Sequence, residues 1–149
     1  MIEYDESVIG VEERLGSFTV TAEAIESYCE ALGETNPLYL DEEFARSTPY
    51  GGRIAPPLIF TNVNFRGTGP DPKVEFGNAR FLGGERVDVL EAMRLGDTID
   101  AYGQVAEVYE KTGRSGRMVF VVRRIRYENQ DGHDVALVSS SMVHREIEA

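Results

Sequence analysis

The pattern of apolar and polar positions changes character midway along the chain. In the first half, Phe18 and Val20 alternate with polar neighbours in GSFTVT, which predicts a short opening strand. Ile25, Tyr28, Cys29 and Leu32 then fall at i, i+3, i+4 and i+7, one face of a helix. Thr21 is placed to cap that helix, Glu23 suits its first turn, and Gly33 suits the position just past its end. Asp41 is placed to cap a second, short helix through DEEFARS. In YGGRIAPPLIFTNVNF the glycines predict a turn, and Pro56 and Pro57 can stand only at the very start of a helix. That helix, expected over residues 56–66, is apolar nearly all round, with Leu58, Ile59, Phe60 and Val63 on its buried side, so it belongs in the core.

The second half reads as strands. FGNARFLGGERVDVLEAM predicts one or two short strands around a glycine bend. GDTIDAYGQVAEVYEK, RMVFVVRRIRYE and DVALVSSSMVHR predict three longer ones, with TGRSG and NQDGH as hairpin turns between them. An antiparallel meander needs something apolar across one face, and the 56–66 segment is the candidate. The expected fold class is α+β: a strongly curved antiparallel β-sheet wrapped around a central α-helix, with residues 1–149 forming a single domain.

Composition narrows the function classes. A net charge of −11 argues against nucleic-acid binding, because phosphate backbones repel an acidic surface. The only basic cluster, Lys111, Arg114, Arg117, Arg123, Arg124 and Arg126, reads first as a polar strand face and second as a local patch for one phosphate-bearing ligand. No apolar run is long enough to span a bilayer, and the N-terminus is acidic, unlike a signal peptide, so a cytoplasmic protein is expected. Cys29 reads as a core thiol. It and the two distant histidines, His133 and His144, show no metal-ligand spacing, so no metal is expected. Ser139, Ser140 and Ser141 run together on a strand without a recognisable histidine–carboxylate companion motif.

The candidate chemistry lies in GETNPLYLD, residues 33–41. Glu34 could serve as a base, or Glu34, Thr35 and Asn36 could simply make the turn after Gly33, with Asp41 a helix cap and Tyr39 a half-buried aromatic. The order of GETNPLYLDEEFARSTPYGGRIAPPLIF, together with the later GDT at 96–98, resembles the MaoC-like (R)-specific enoyl-CoA hydratases and dehydratases of the hotdog fold. It is most similar to their N-terminal dehydratase-domain type. That family's pattern reads D-x-N-P-x-H-x-D followed by a Gly-rich turn and an I-A-H-G helix start. Its aspartate and histidine handle water and protons, and a backbone N–H at the helix start holds the developing oxyanion.

By that resemblance Asn36, Pro37 and Asp41 match, Glu34 stands at the aspartate, and Tyr39 stands at the histidine. Ile54 and Ala55 match the start of I-A-H-G, Pro56 replaces its histidine, and Pro57 replaces the glycine that should donate its N–H. A phenol titrates near pH ~10 and is a poor base at neutral pH. Proline has no amide hydrogen to donate. The resemblance implies an acyl-thioester site at Asn36, Pro37, Gly51, Gly52, Ile54, Ala55, Pro56, Pro57 and Leu58, with Glu34 and Tyr39 as a degenerate dyad. It implies a hydro-lyase subunit that binds the acyl group of a 2-enoyl thioester beside a second hotdog subunit and needs no cofactor. Two alternatives stay open: a self-sufficient homodimeric hydratase using Glu34, and a hotdog protein that holds an acyl thioester without turnover.

Overall fold

A computed structural model describes residues 2–147 apart from Asn64, Arg66, Thr68 and Ser115. Five strands form one antiparallel sheet: β1 (Glu13–Thr19), β2 (Ala79–Val89), β3 (Thr98–Gly113), β4 (Gly116–Glu128) and β5 (Asp134–Arg145), in the spatial order β1-β3-β4-β5-β2. Among the described residues, three α-helices precede β2: α1 (Ala22–Leu32), α2 (Pro37–Leu40) and α3 (Glu42–Arg46). The three long expected strands and the NQDGH turn are present. In that turn, Asn129 Oδ1 accepts the Asp131 and His133 N–H groups at 3.0 Å each, and Gly132 takes the left-handed φ of 78°. TGRSG also joins two strands, but its Ser115 lies outside the described residues. The FGNARF segment forms one strand, not two; the glycine bend survives as a bulge between Leu82 and Gly84.

The register decides which side chains share a face. Ala101 pairs with Tyr127 and Tyr127 with Ala136; Ile125 pairs with Val138. These residues line the concave face with Ile99 and pack against Val20, Ile25, Cys29, Ala55, Ile59, Phe60 and Met93. The caps at α1 are as the sequence requires: Thr21 accepts the Ala24 N–H, and Gly33 is left-handed at φ 68°. The GDT element holds the entrance to that helix. Val20 donates to the Asp97 carbonyl, and the buried Asp97 carboxylate accepts the Arg94 N–H at 2.8 Å and Gln130 Nε2 at 3.0 Å. Its burial is thus compensated by hydrogen bonds.

The helix expected over 56–66 is not formed. Within it a 3-10 turn of four residues, Ile59–Asn62, is present; Asn64 and Arg66 of the expected span lie outside the described residues. The sequence explains the shortfall. Pro57 donates no hydrogen bond, and Ile59, Thr61, Asn62 and Val63 are all weak helix formers. The turn still places Phe60, 1% exposed, against Tyr127 with ring centroids 4.5 Å apart. The sheet therefore curves over α1 and this short turn.

Beyond the turn, an extended strap over residues 69–76 covers the rest of the concave face. Val74 packs on Val105, Val119 and Val121, and Ile2, Tyr4 and Phe76 flank it. The N-terminal segment pairs with the strap: Asp5 donates to Pro72 O at 2.7 Å, and Glu75 donates to Glu3 O at 3.2 Å. Arg123 on β4 donates to Pro70 O at 2.7 Å. The strap passes close to the sheet at Gly69, where a Cβ would lie 2.8 Å from the Gly103 carbonyl oxygen of β3, at a φ of +94°.

Two stability outcomes follow from this packing. Truncating Phe60→Ala removes the ring that seats the turn on Tyr127 and should cost about 3–5 kcal/mol in urea unfolding. Gly69→Ala adds a backbone clash to a left-handed residue and should cost about 2 kcal/mol or more. A loss under about 0.5 kcal/mol at Gly69 would show that the strap does not cross β3 there.

Candidate functional site

The local chemistry of residues 33–41 is largely consumed by the backbone. Glu34 donates its N–H to Cys29 O at 2.9 Å, closing α1 beyond the left-handed Gly33. The Glu34 carboxylate accepts the Asn36 N–H at 2.8 Å. Asn36 Oδ1 in turn caps α2 by accepting the Leu38 N–H at 3.0 Å, with Pro37 at the first helical position. Asp41 Oδ1 caps α3 by accepting the Phe44 N–H at 3.0 Å. Asn36, Pro37 and Asp41 thus build the turn, and the turn presents Glu34 and Tyr39.

Glu34 and Tyr39 share an open depression of about 470 Å³ with Tyr28, Leu32, Gly33, Pro56, Pro57 and Leu58. Five of the residues singled out from the sequence therefore meet: Glu34, Tyr39, Pro56, Pro57 and Leu58. The Tyr39 phenol is pushed above its ordinary range, first by partial burial and then by the negative charge of Glu34. Cys29 sits beneath as a buried thiol, likewise raised by burial first and Glu34 second. Proline rings and leucine side chains supply its apolar lining.

The other sequence-derived positions lie apart from it. Ile54 and Ala55 are buried and share with Pro57 a second, smaller pocket of about 180 Å³ against Val89, Leu90 and Met93. Ala55 donates to Met93 O at 2.7 Å, and Arg53 O accepts the Leu95 N–H at 3.0 Å, which pins this segment to the loop before β3. Gly51 and Gly52 form the preceding turn, where Gly51 requires its φ of +70°. They line neither pocket.

Arg53 escaped the sequence reading. Its side chain is 9% exposed; Nε donates to Tyr39 O at 2.7 Å, and a guanidinium nitrogen lies 3.4 Å from Glu26 on α1. It fixes α2 to α1 and thereby the position of Tyr39. The available signal was a lone cation within an otherwise apolar turn.

The remaining candidates lie elsewhere. His133 is exposed in its turn, 3.4 Å from Glu91. His144 is buried on β5 and lines a different cavity with Asp71 and Arg80. In the basic cluster, Arg126 bridges Glu12, Glu128 and Asp134, and Arg117 pairs with Glu110, as a polar strand face would. Arg123 departs from that reading: its register partners Val105 and Ser140 place it on the concave face. Among the described residues, no three His, Cys, Asp or Glu side chains converge as metal ligands, and no helix is long and apolar enough to cross a membrane.

The family described as "FAS1-like, dehydratase domain region" matches residues 7–138. A probable enoyl-CoA hydratase alpha subunit of Thermomonospora curvata is 30% identical over 142 residues; the match takes in 84% of this chain but only 44% of that protein. The fold of the ChsH1–ChsH2 complex of Mycobacterium tuberculosis superposes with a TM-score of 0.73 at 19% identity, covering 94% of this chain and 85% of that one. The MaoC-like dehydratase of Rhodospirillum rubrum gives a TM-score of 0.70 at 20% identity, covering 95% and 94%. The two solved structures establish the fold as a hotdog, and the matched span of residues 7–138 establishes the lineage. The chain belongs to the family of FAS1-like dehydratase-domain regions, and its fold is the hotdog shared with MaoC-like dehydratases.

Proposed function

We propose that this chain is the acyl-binding, non-catalytic subunit of a two-hotdog hydro-lyase that acts on 2-enoyl thioesters, with coenzyme A as the thiol. The observation that carries this reading is the composition of the depression. Its carboxylate, Glu34, already accepts a local backbone N–H, and its phenol titrates above the ordinary tyrosine range. Pro57, at the position of the family's oxyanion donor, has no N–H to offer. Hydration needs a base near neutrality and a donor aimed at the thioester oxygen. Loss of one such donor alone costs about 10²–10³ in rate.

What the depression offers is apolar contact. Leu32 and Leu58 are 65% and 42% exposed on its rim, and Tyr28 and the two prolines complete its walls. Such a surface suits an acyl group that a partner's dyad would transform. The sheet supplies a place for that partner. β2 is an edge strand that leaves Val89 exposed, with Leu90 exposed just beyond it, and a second hotdog unit added there would bury them. The Thermomonospora relative is itself named as an alpha subunit, and ChsH1–ChsH2 is a complex of two chains, which supports the paired reading.

The pure chain and a mixture with a hotdog partner carrying an intact D-x-N-P-x-H segment should be compared in hydration of a 2-enoyl-CoA. The isolated chain should give no turnover above solution, and the mixture should be active. Turnover by the isolated chain that disappears in Glu34→Gln would replace this reading with a self-sufficient homodimer. Acyl-CoA binding with no turnover in either preparation would make it a binding protein. A second outcome concerns the dyad alone. Tyr39→His restores an imidazole but leaves Pro57, so the variant should stay inactive by itself; full activity would show that Pro57 does not occupy the oxyanion position.

A further inference from the structure

The concave face bears a second cavity that shares no lining residue with the Glu34 depression. It has a volume of about 550 Å³, within the range of small-molecule sites, and lies between the 71–74 strap and strands β2, β4 and β5. Its apolar lining is Val74, Phe81, Leu82, Val121 and Met142. Its polar lining is cationic: Lys73, Arg80 and Arg123 against the single carboxylate of Asp71. That balance is unusual in a chain of net charge −11. Asp71 is moreover engaged in its own turn, where Oδ1 accepts the Lys73 N–H at 3.0 Å.

Two further features mark the wall. Lys73 has a φ of +49°, the only positive value among the described non-glycine residues, so the strap bends against preference where it presents this cation. His144 is 6% exposed, and its Nδ1 has no hydrogen-bond partner among the described residues, while the Phe76 backbone lies beside the ring. Burial first, and then the charge of Arg80, hold this imidazole below its ordinary range, so it is neutral at pH 7. Unpaired buried polar atoms are uncommon in native folds.

We infer that this cavity binds an amphiphilic anion, an apolar chain ending in a carboxylate or phosphate head that Arg80, Lys73 and Arg123 hold beside His144. The tail lies on Val74, Leu82, Val121 and Met142, and the head replaces water at the guanidinium groups. The charged and titratable groups facing His144 are Arg80 on β2, Arg123 on β4, and Asp71 and Lys73 on the strap. An anion at this position favours the protonated ring, in which Nδ1 becomes a donor. The site is independent of whether the chain turns over thioesters, because the Glu34 depression contributes nothing to it.

The test uses sodium decanoate, decyl phosphate and 1-decanol with the full chain, read by NMR of the histidine rings. The chain has only two histidines, and exposed His133 is the internal control. Saturable binding of either anion should raise the titration midpoint of His144 and leave that of His133 in place. The tighter of the two anions identifies the head group. Arg80→Gln and Lys73→Gln alter exposed side chains, and each should weaken binding about tenfold. The inference fails if His144 does not respond to either anion, if 1-decanol binds as tightly, or if both variants bind as the parent does.

Discussion

A single antiparallel sheet has one apolar face that water must not reach, and everything in this fold follows from how that face is covered. A long helix is the economical cover, because it satisfies its own backbone hydrogen bonds while presenting one apolar stripe. Here the cover comes in pieces: the buried side of α1, the 3-10 turn carrying Phe60, and the extended strap that meets β3 at Gly69. Extended chain cannot satisfy its own backbone, so the strap borrows partners. Residues 3–5 and Arg123 supply them.

This piecewise cover shapes both cavities. Because the turn starts late, Pro56 and Pro57 line the depression beside Glu34 and Tyr39 with ring carbons in place of amide donors. Because the strap is thin, it leaves space over β4 and β5, where Arg123 and His144 face inward. One departure from a continuous helix thus accounts for the donor-poor lining of the Glu34 depression and for the cationic cavity.

Much of this was legible in the chain. The period-2 runs of β3, β4 and β5 span most of a strand each, so their existence and hairpin turns follow from alternation and from Gly132. The capping roles of Thr21 and Asp41 depend only on near neighbours, and the fold family follows from the order of the motifs. The expected helix over 56–66 gives way to a short 3-10 turn because an apolar run reads equally as buried helix or buried irregular chain. β-Branching and the proline pair decided it. The inward direction of Arg53 and Arg123 is hidden in the sequence for a different reason. Their partners, Tyr39 O and Pro70 O, lie 14 and 53 residues away, and only tertiary register shows that each cation turns inward. Ile54 and Ala55 aligned with a site motif, yet packing draws them beneath the surface.

The central claim is that the Glu34 depression can hold an acyl group but cannot move its protons. Exchange of the C2 hydrogen of a 3-hydroxyacyl-CoA for deuterium, followed by NMR in D₂O with the isolated chain, reports that proton transfer directly. The account predicts saturable binding of the acyl-CoA with no exchange above the solution rate. Exchange that rises with protein concentration and vanishes in Glu34→Gln would contradict it.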